Sequence, residues 1–145
     1  MTVDVVTEIE IGRPRSEVAA FAADPDNAPR WYKNIKSVEW ETPPPAVLGS
    51  RVRFVAQFLG RTLEYTYAVR EIEPARCFVM STSEGPFPME TTYRWEDTGE
   101  GGTRMTLRNR GEPSGFASLS SPLVQAAMRR ANRADLQRLK ALLEG

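Results

Sequence analysis

Asp135 interrupts an apolar stripe in the last helix-forming segment of the chain. At 3.6 residues per turn, Val124, Met128, Ala131, Leu139 and Leu142 fall on one face, flanked by Ala127, Leu136 and Leu143. Asp135 stands on that face, one turn after Ala131 and one turn before Leu139. A carboxylate is seldom buried without a partner. Two arrangements meet that requirement. In one, Asp135 faces an internal space and holds a ligand hydroxyl or a water, with a raised pKa that suits it to act as an acid. In the other it pairs with an arginine or a tyrosine, or accepts from backbone amides of a nearby loop.

The remaining inventory narrows the chemistry further. The chain has no histidine and one cysteine, Cys77. A Ser-His-Asp or Cys-His relay cannot be assembled, a zinc site lacks its usual donors, and an internal disulfide is excluded. Acid–base work falls to Asp, Glu, Lys, Tyr or bound water. No glycine-rich phosphate loop or dinucleotide fingerprint is present, and no cofactor or metal is expected. Cys77 lies in a strand-like segment and reads as a small core residue.

The other polar groups that share apolar faces are Tyr65, Tyr67, Tyr93, Thr82, Thr91 and Asn109. A buried tyrosine hydroxyl needs a partner, so each is either a satisfied core group or part of a cavity wall. As a set with Asp135 they suit a pocket that is mostly apolar and dotted with polar groups. The weak catalytic candidates are Asp135, Tyr65 and Tyr93. Trp31 and Tyr32 sit in a short helical segment, where they either pack or gate an opening.

These residues must be positioned by the elements around them. Val3, Val5, Thr7, Ile9 and Ile11 alternate with polar neighbours, Val6 excepted, and predict a half-buried strand closed by Gly12. Pro14 opens a short helix carrying Val18, Phe21 and Ala22, Asp24-Pro25 stops it, and a second short helix is expected over Asn27 to Lys33. Strand-like segments then run from about Ile35 to Arg110. The clearest is Arg51 to Arg70. With Gly60-Arg61 as a two-residue turn, Phe58 faces Leu63, Ala56 faces Tyr65, Phe54 faces Tyr67 and Val52 faces Val69. A one-residue slip would destroy that segregation of faces. Cys77 to Thr82 is the next strand, with Met80 and Thr82 on one side. Met89, Thr91, Tyr93 and Trp95 alternate with charged or polar residues, as do Met105 and Leu107 after the glycine turn at Gly99 to Gly102. Gly85 to Pro88 and Gly111 to Ser120 read as loops. The closing helix is expected from Ser121 to Leu143, with Ser121 as its cap.

A helix is roughly 10 Å across with its side chains, too narrow to cover the apolar face of so many strands. The uncovered part must close on itself, meet a partner or enclose a space; we read it as enclosing one. The residues expected to line it are Trp31, Phe54, Ala56, Phe58, Tyr65, Tyr67, Met80, Thr82, Met89, Thr91, Tyr93, Met105, Leu107, Asn109, Val124, Met128, Ala131 and Asp135. Residues 1–145 suit one domain. Nineteen basic and nineteen acidic residues give no net charge, so neither nucleic acid nor an anionic surface is favoured as a partner. No apolar stretch spans a bilayer and the first residues lack a secretory pattern, so a cytoplasmic location is expected. A homodimer is left open.

Several pieces in this order resemble one superfamily. They are Pro14-x-x-x-Val18-x-x-x-Ala22, Asn27-x-Pro29-x-Trp31, Gly49-Ser50-Arg51, Gly60-Arg61 before an aromatic strand, and Glu73-Pro74. Gly102-Thr103-Arg104-Met105-Thr106-Leu107 and the closing Leu136-x-x-Leu139-Lys140-x-x-Leu143-Glu144 complete the set. Together they resemble the START-like superfamily, also called helix-grip or SRPBCC proteins, and within it the bacterial polyketide cyclase/dehydrase-like group. The resemblance implies an α+β fold: a curved antiparallel sheet of about seven strands wrapped on a long C-terminal helix, with two short helices between strands 1 and 2. It implies a deep cavity for lipids, polyketides or other apolar ligands. It carries over no catalytic residue, because that family has no universal catalytic motif.

The leading expectation is a non-enzymatic binder or carrier of a small apolar ligand. The alternative is a cyclase- or dehydratase-like enzyme using Asp135 or a cavity tyrosine. A third, an interaction module using the open end of the sheet, requires a solid core and an exposed apolar patch.

Overall fold

The computed structural model describes residues 3–58, 60–85, 88–112 and 121–145. Its elements are β1 (Val3–Ile11), α1 (Arg15–Ala22), a 3₁₀ turn (Pro25–Asn27), α2 (Ala28–Trp31), β2 (Ile35–Trp40), β3 (Arg51–Phe58), β4 (Arg61–Glu73), β5 (Cys77–Glu84), β6 (Met89–Asp97), β7 (Thr103–Gly111) and α3 (Ser121–Glu144). The seven strands form one antiparallel sheet in the order β1-β7-β6-β5-β4-β3-β2. This is the helix-grip arrangement, with the short helices between β1 and β2 and the long helix last. The loop expected over Gly111 to Ser120 falls mostly outside the described residues, as do Pro86 and Phe87 of the other loop.

Local chemistry accounts for the first elements. Val3, Val5 and Ile11 are buried and Val6 is exposed, as the alternation requires. Pro14 precedes α1 in extended conformation, and Val18, Ala19 and Ala22 are buried beneath it. The Asp24 side chain then accepts from Asp26 N–H at 3.0 Å and starts the 3₁₀ turn.

The helix expected over Asn27 to Lys33 is shorter. It is a 3₁₀ turn followed by α2, and the backbone is already extended at Tyr32. The residues beyond are engaged elsewhere: Asn34 C=O accepts from Gln57 N–H at 2.8 Å, and Lys33 N–H donates to α3. Pairing with β3 therefore outcompetes another helical turn.

The β3–β4 register differs from the expectation by two residues. Phe58 pairs with Arg61, Ala56 with Leu63, Phe54 with Tyr65 and Val52 with Tyr67. The chain therefore turns between Phe58 and Arg61, with Gly60 at φ 76°, a backbone state that glycine adopts freely. Side chains alternate with period two, so a shift of two leaves every residue on its expected face. Register shifts between Thr66 and Tyr67 and between Val69 and Glu71 interrupt the β4–β5 ladder. Such irregularities bend a strand and increase its twist.

α3 packs along β1 and shields that edge of the sheet. Lys140 Nζ donates to Glu10 C=O at 2.8 Å, and Glu144 Oε2 accepts from Gly12 N–H at 2.6 Å. Arg13 Nε returns a bond to Leu143 C=O at 2.9 Å. The buried stripe of α3 is Val124, Asn132, Asp135, Leu136, Leu139 and Leu143. Leu142, expected on this face, is exposed, because the helix is rotated to bring Leu136 and Leu143 inward. Ser121 is the first helical residue rather than the cap.

The buried apolar side chains form two clusters. The larger joins the C-terminal half of α3 (Leu136, Leu139, Leu143) to Met105, Leu107, Tyr93, Trp95, Phe54, Phe78 and Trp31. The smaller gathers Val3, Val5, Leu63, Tyr65 and Val124. Tyr67 packs against both.

Candidate functional site

A cavity of about 150 Å³ is walled by residues of both clusters. From β3 and β4 come Phe54, Ala56, Phe58, Leu63, Tyr65 and Tyr67; from β5 and β6 come Phe78, Met80, Met89, Thr91 and Tyr93. β7 supplies Asn109, and α3 supplies Val124, Met128, Ala131, Asn132 and Asp135. Ala22 to Pro25, Ala28, Tyr32, Asn34 and Ile35 close it from the short-helix side.

Four residues expected on this wall do not line it. Met105 and Leu107 are fully buried in the larger cluster, against the leucines of α3. Bulky side chains fill the space between sheet and helix there. This hollow opens where α3 presents Val124, Met128, Ala131, Asn132 and Asp135. Trp31 is fully buried, its ring centroid 4.0 Å from that of Tyr32, and it is Tyr32 that reaches the cavity. The Thr82 hydroxyl accepts from Met89 N–H at 3.0 Å, which ties it into the β5–β6 connection.

Sequence reasoning left Asn132, Leu63, Phe78, Asn34 and Ile35 off the wall, and left Tyr32 as packing or a gate. Leu63 and Phe78 continue the alternation of Tyr65 and Met80, so period two would have found them. Asn132 lies three residues before Asp135 and eight after Val124, a helical spacing that marks the same stripe.

The polar groups on the wall form small networks. The Tyr32 and Tyr93 hydroxyls are 2.6 Å apart and hydrogen-bonded. Thr91 Oγ1 donates to Asn109 Oδ1 at 2.7 Å. Burial pushes the phenols of Tyr32, Tyr65 and Tyr93 well above their usual range and that of Tyr67 up to about 12. These hydroxyls therefore stay protonated near neutrality and offer or share hydrogen bonds; they are poor bases.

Asp135 combines both arrangements open at the sequence level. It lines the cavity, and its Oδ1 accepts from Lys33 N–H at 3.0 Å. Burial raises its carboxyl from 3.8 to about 6, against the lowering effect of that hydrogen bond and of the Arg138 and Lys33 charges. Such a group exchanges a proton in the neutral range, as an acid–base catalyst must. Asn132 is buried beside it, its Nδ2 without a hydrogen-bond partner among the described residues. Cys77 is buried in the strand and does not reach the cavity. Among the described residues no group of three acidic, cysteine or histidine side chains is placed to hold a metal ion. No described helix is long and apolar enough to cross a membrane.

Residues 2–144 match the family model described as polyketide cyclase / dehydrase and lipid transport. No curated protein is matched at a significant level. Among solved structures, the chain is similar to TTHA0849 from Thermus thermophilus, with 26% identity over 95% of this chain and 94% of that one and a TM-score of 0.80. It is also similar to a START superfamily protein from Mycobacterium smegmatis, at 15% identity over 97% of each chain and a TM-score of 0.81. The Zhui aromatase/cyclase from a Streptomyces species is similar at 18% identity over 99% of this chain and 94% of that one, with a TM-score of 0.80. The last two likenesses are likenesses of fold.

Proposed function

The chain belongs to the polyketide cyclase/dehydrase and lipid transport family, and on that premise we propose that it binds and carries a small, mostly apolar ligand in the cavity between sheet and α3. The observation that carries this reading is the hollow of about 150 Å³ walled by aromatic rings, methionines and a few polar groups. An apolar void of that size is large enough for a single aromatic ring. The wall supplies apolar contact for the body of a ligand, and the tyrosines, Thr91, Asn109, Asn132 and Asp135 orient its polar atoms.

Native mass spectrometry of the purified protein, with thermal melts against a panel of lipids, polyketides and simple aromatics, tests this. A ligand at a hundred times its Kd stabilises the fold by about 2.7 kcal/mol, a rise of roughly 5–10 °C for a domain of this size. No co-purified ligand and no shift across the panel would count against the carrier.

A second reading is acid–base catalysis on the bound ligand, of the kind the family name describes. The observation favouring it is Asp135, a buried carboxyl with a pKa of about 6 on the cavity wall. Tyr65 and Tyr93 are weaker candidates, because their phenols hold their protons too tightly. Asp135→Asn would then abolish turnover while sparing the binding of a neutral ligand. Undiminished turnover in that variant discards the role.

A further inference from the structure

The charges and unpaired polar atoms of the wall narrow the ligand class. Among the described residues lining the cavity, the charged side chains are Asp24 and Asp135; no lysine or arginine is among them. Asp24 is exposed, whereas Asp135 is 2% exposed. The hydrogen bond from Lys33 N–H to Oδ1 is the one bond that Asp135 makes among the described residues, so its other oxygen is left for a ligand. The cations that act on it, Lys33 and Arg138, are exposed, where solvent screens them. The phenols of Tyr32, just beyond α2, and Tyr93 from β6 also bear on it, and both are neutral. One turn earlier on α3, Asn132 is 5% exposed and its Nδ2 has no partner among the described residues. A buried amide in that state awaits an acceptor.

We propose that Asn132 and Asp135 form a subsite for an uncharged oxygen function, a hydroxyl above all, so that the cavity selects neutral aromatic ligands over carboxylates. This rests on the binding reading above and names its ligand class. A hydroxyl accepts from Asn132 Nδ2–H and donates to the Asp135 carboxylate, satisfying both groups at once. A carbonyl takes the first bond only. A ligand carboxylate would be desolvated beside a second carboxylate with no cation on the wall to offset it.

Three probes share one ring and methyl group and differ only in the third substituent: toluene, p-cresol and p-toluate. Each is titrated into ¹⁵N-labelled protein at pH 7.5, where Asp135 is ionised, and its Kd is read from amide shifts around the cavity. The p-cresol Kd should be about tenfold lower than that of p-toluate and about fivefold lower than that of toluene. Asn132→Leu should remove the advantage of p-cresol over toluene. Asp135→Asn keeps an acceptor for Lys33 N–H, and should bring p-toluate to within about threefold of p-cresol.

Binding of p-toluate as tight as that of p-cresol overturns the proposal in the wild-type protein, whether or not either variant folds. An unchanged ratio in folded Asp135→Asn overturns the part assigned to that carboxylate. Toluene bound without preference among the three leaves the binding reading standing and sinks this one alone. No shift with any of them, nor with 2-naphthol, sinks both.

Discussion

Asp135 Oδ1 lies 3.0 Å from Lys33 N and accepts its hydrogen, tying the middle of α3 to the chain just beyond α2. The bond crosses the short-helix side of the cavity. It holds one carboxylate oxygen and leaves the rest of the carboxyl buried, which is why that group's proton affinity is high.

The consequence for stability depends on pH. The Asp135 pKa is raised from 3.8 to about 6 in the folded state, so the native protein binds the proton more tightly than the unfolded chain does. Stability from this group is fully present below about pH 4 and is lost as pH rises through about 6. The loss is on the order of 2 kcal/mol. Asp135→Asn should melt several degrees above the wild type at pH 8 and close to it at pH 4. Thermal scans at the two pH values check this; an equal difference at both would show that the carboxyl is not desolvated as described.

The Tyr32–Tyr93 hydroxyl pair should couple energetically. Removing either hydroxyl with Tyr→Phe strands its partner at a cost of about 1–2 kcal/mol. The double variant should cost less than the sum of the single ones. Urea unfolding of the four proteins measures the cycle, and strict additivity would mean that the hydroxyls, 2.6 Å apart here, do not interact in solution.

The two halves of α3 should respond oppositely to changes of volume. Ala131 faces the hollow and Leu139 is fully buried in the larger cluster. Ala131→Leu should fill the void, abolish ligand-induced thermal shifts and change stability by no more than about 1 kcal/mol. Leu139→Ala should cost about 2–5 kcal/mol. A strongly destabilised Ala131→Leu would indicate that no space exists at that point.

Much of this fold is legible in one dimension. A strand shows its inward face by alternation, and Tyr65, Tyr67, Met89, Thr91 and Tyr93 stand on the cavity wall for that reason. The same rule is blind to shifts of two, so the β3–β4 pairing comes out two residues from the expectation while its faces do not change. The spacing on α3 locates Asp135, but a few tens of degrees of helix rotation decide between Leu142 and Leu143, and apolar pattern alone passes over Asn132.

Residue order by itself determined the class of architecture: strands followed by a single long helix too narrow to cover them, with one carboxylate inside its apolar stripe. Only the tertiary structure decided where the interior is full and where it is hollow. Met105, Leu107 and Asn109 are equivalent by alternation on β7, yet the first two are buried in the same cluster as the leucines of α3 and the third lines the cavity. What opposes a side chain across the core belongs to a distant part of the chain, and periodicity along one strand carries no record of it.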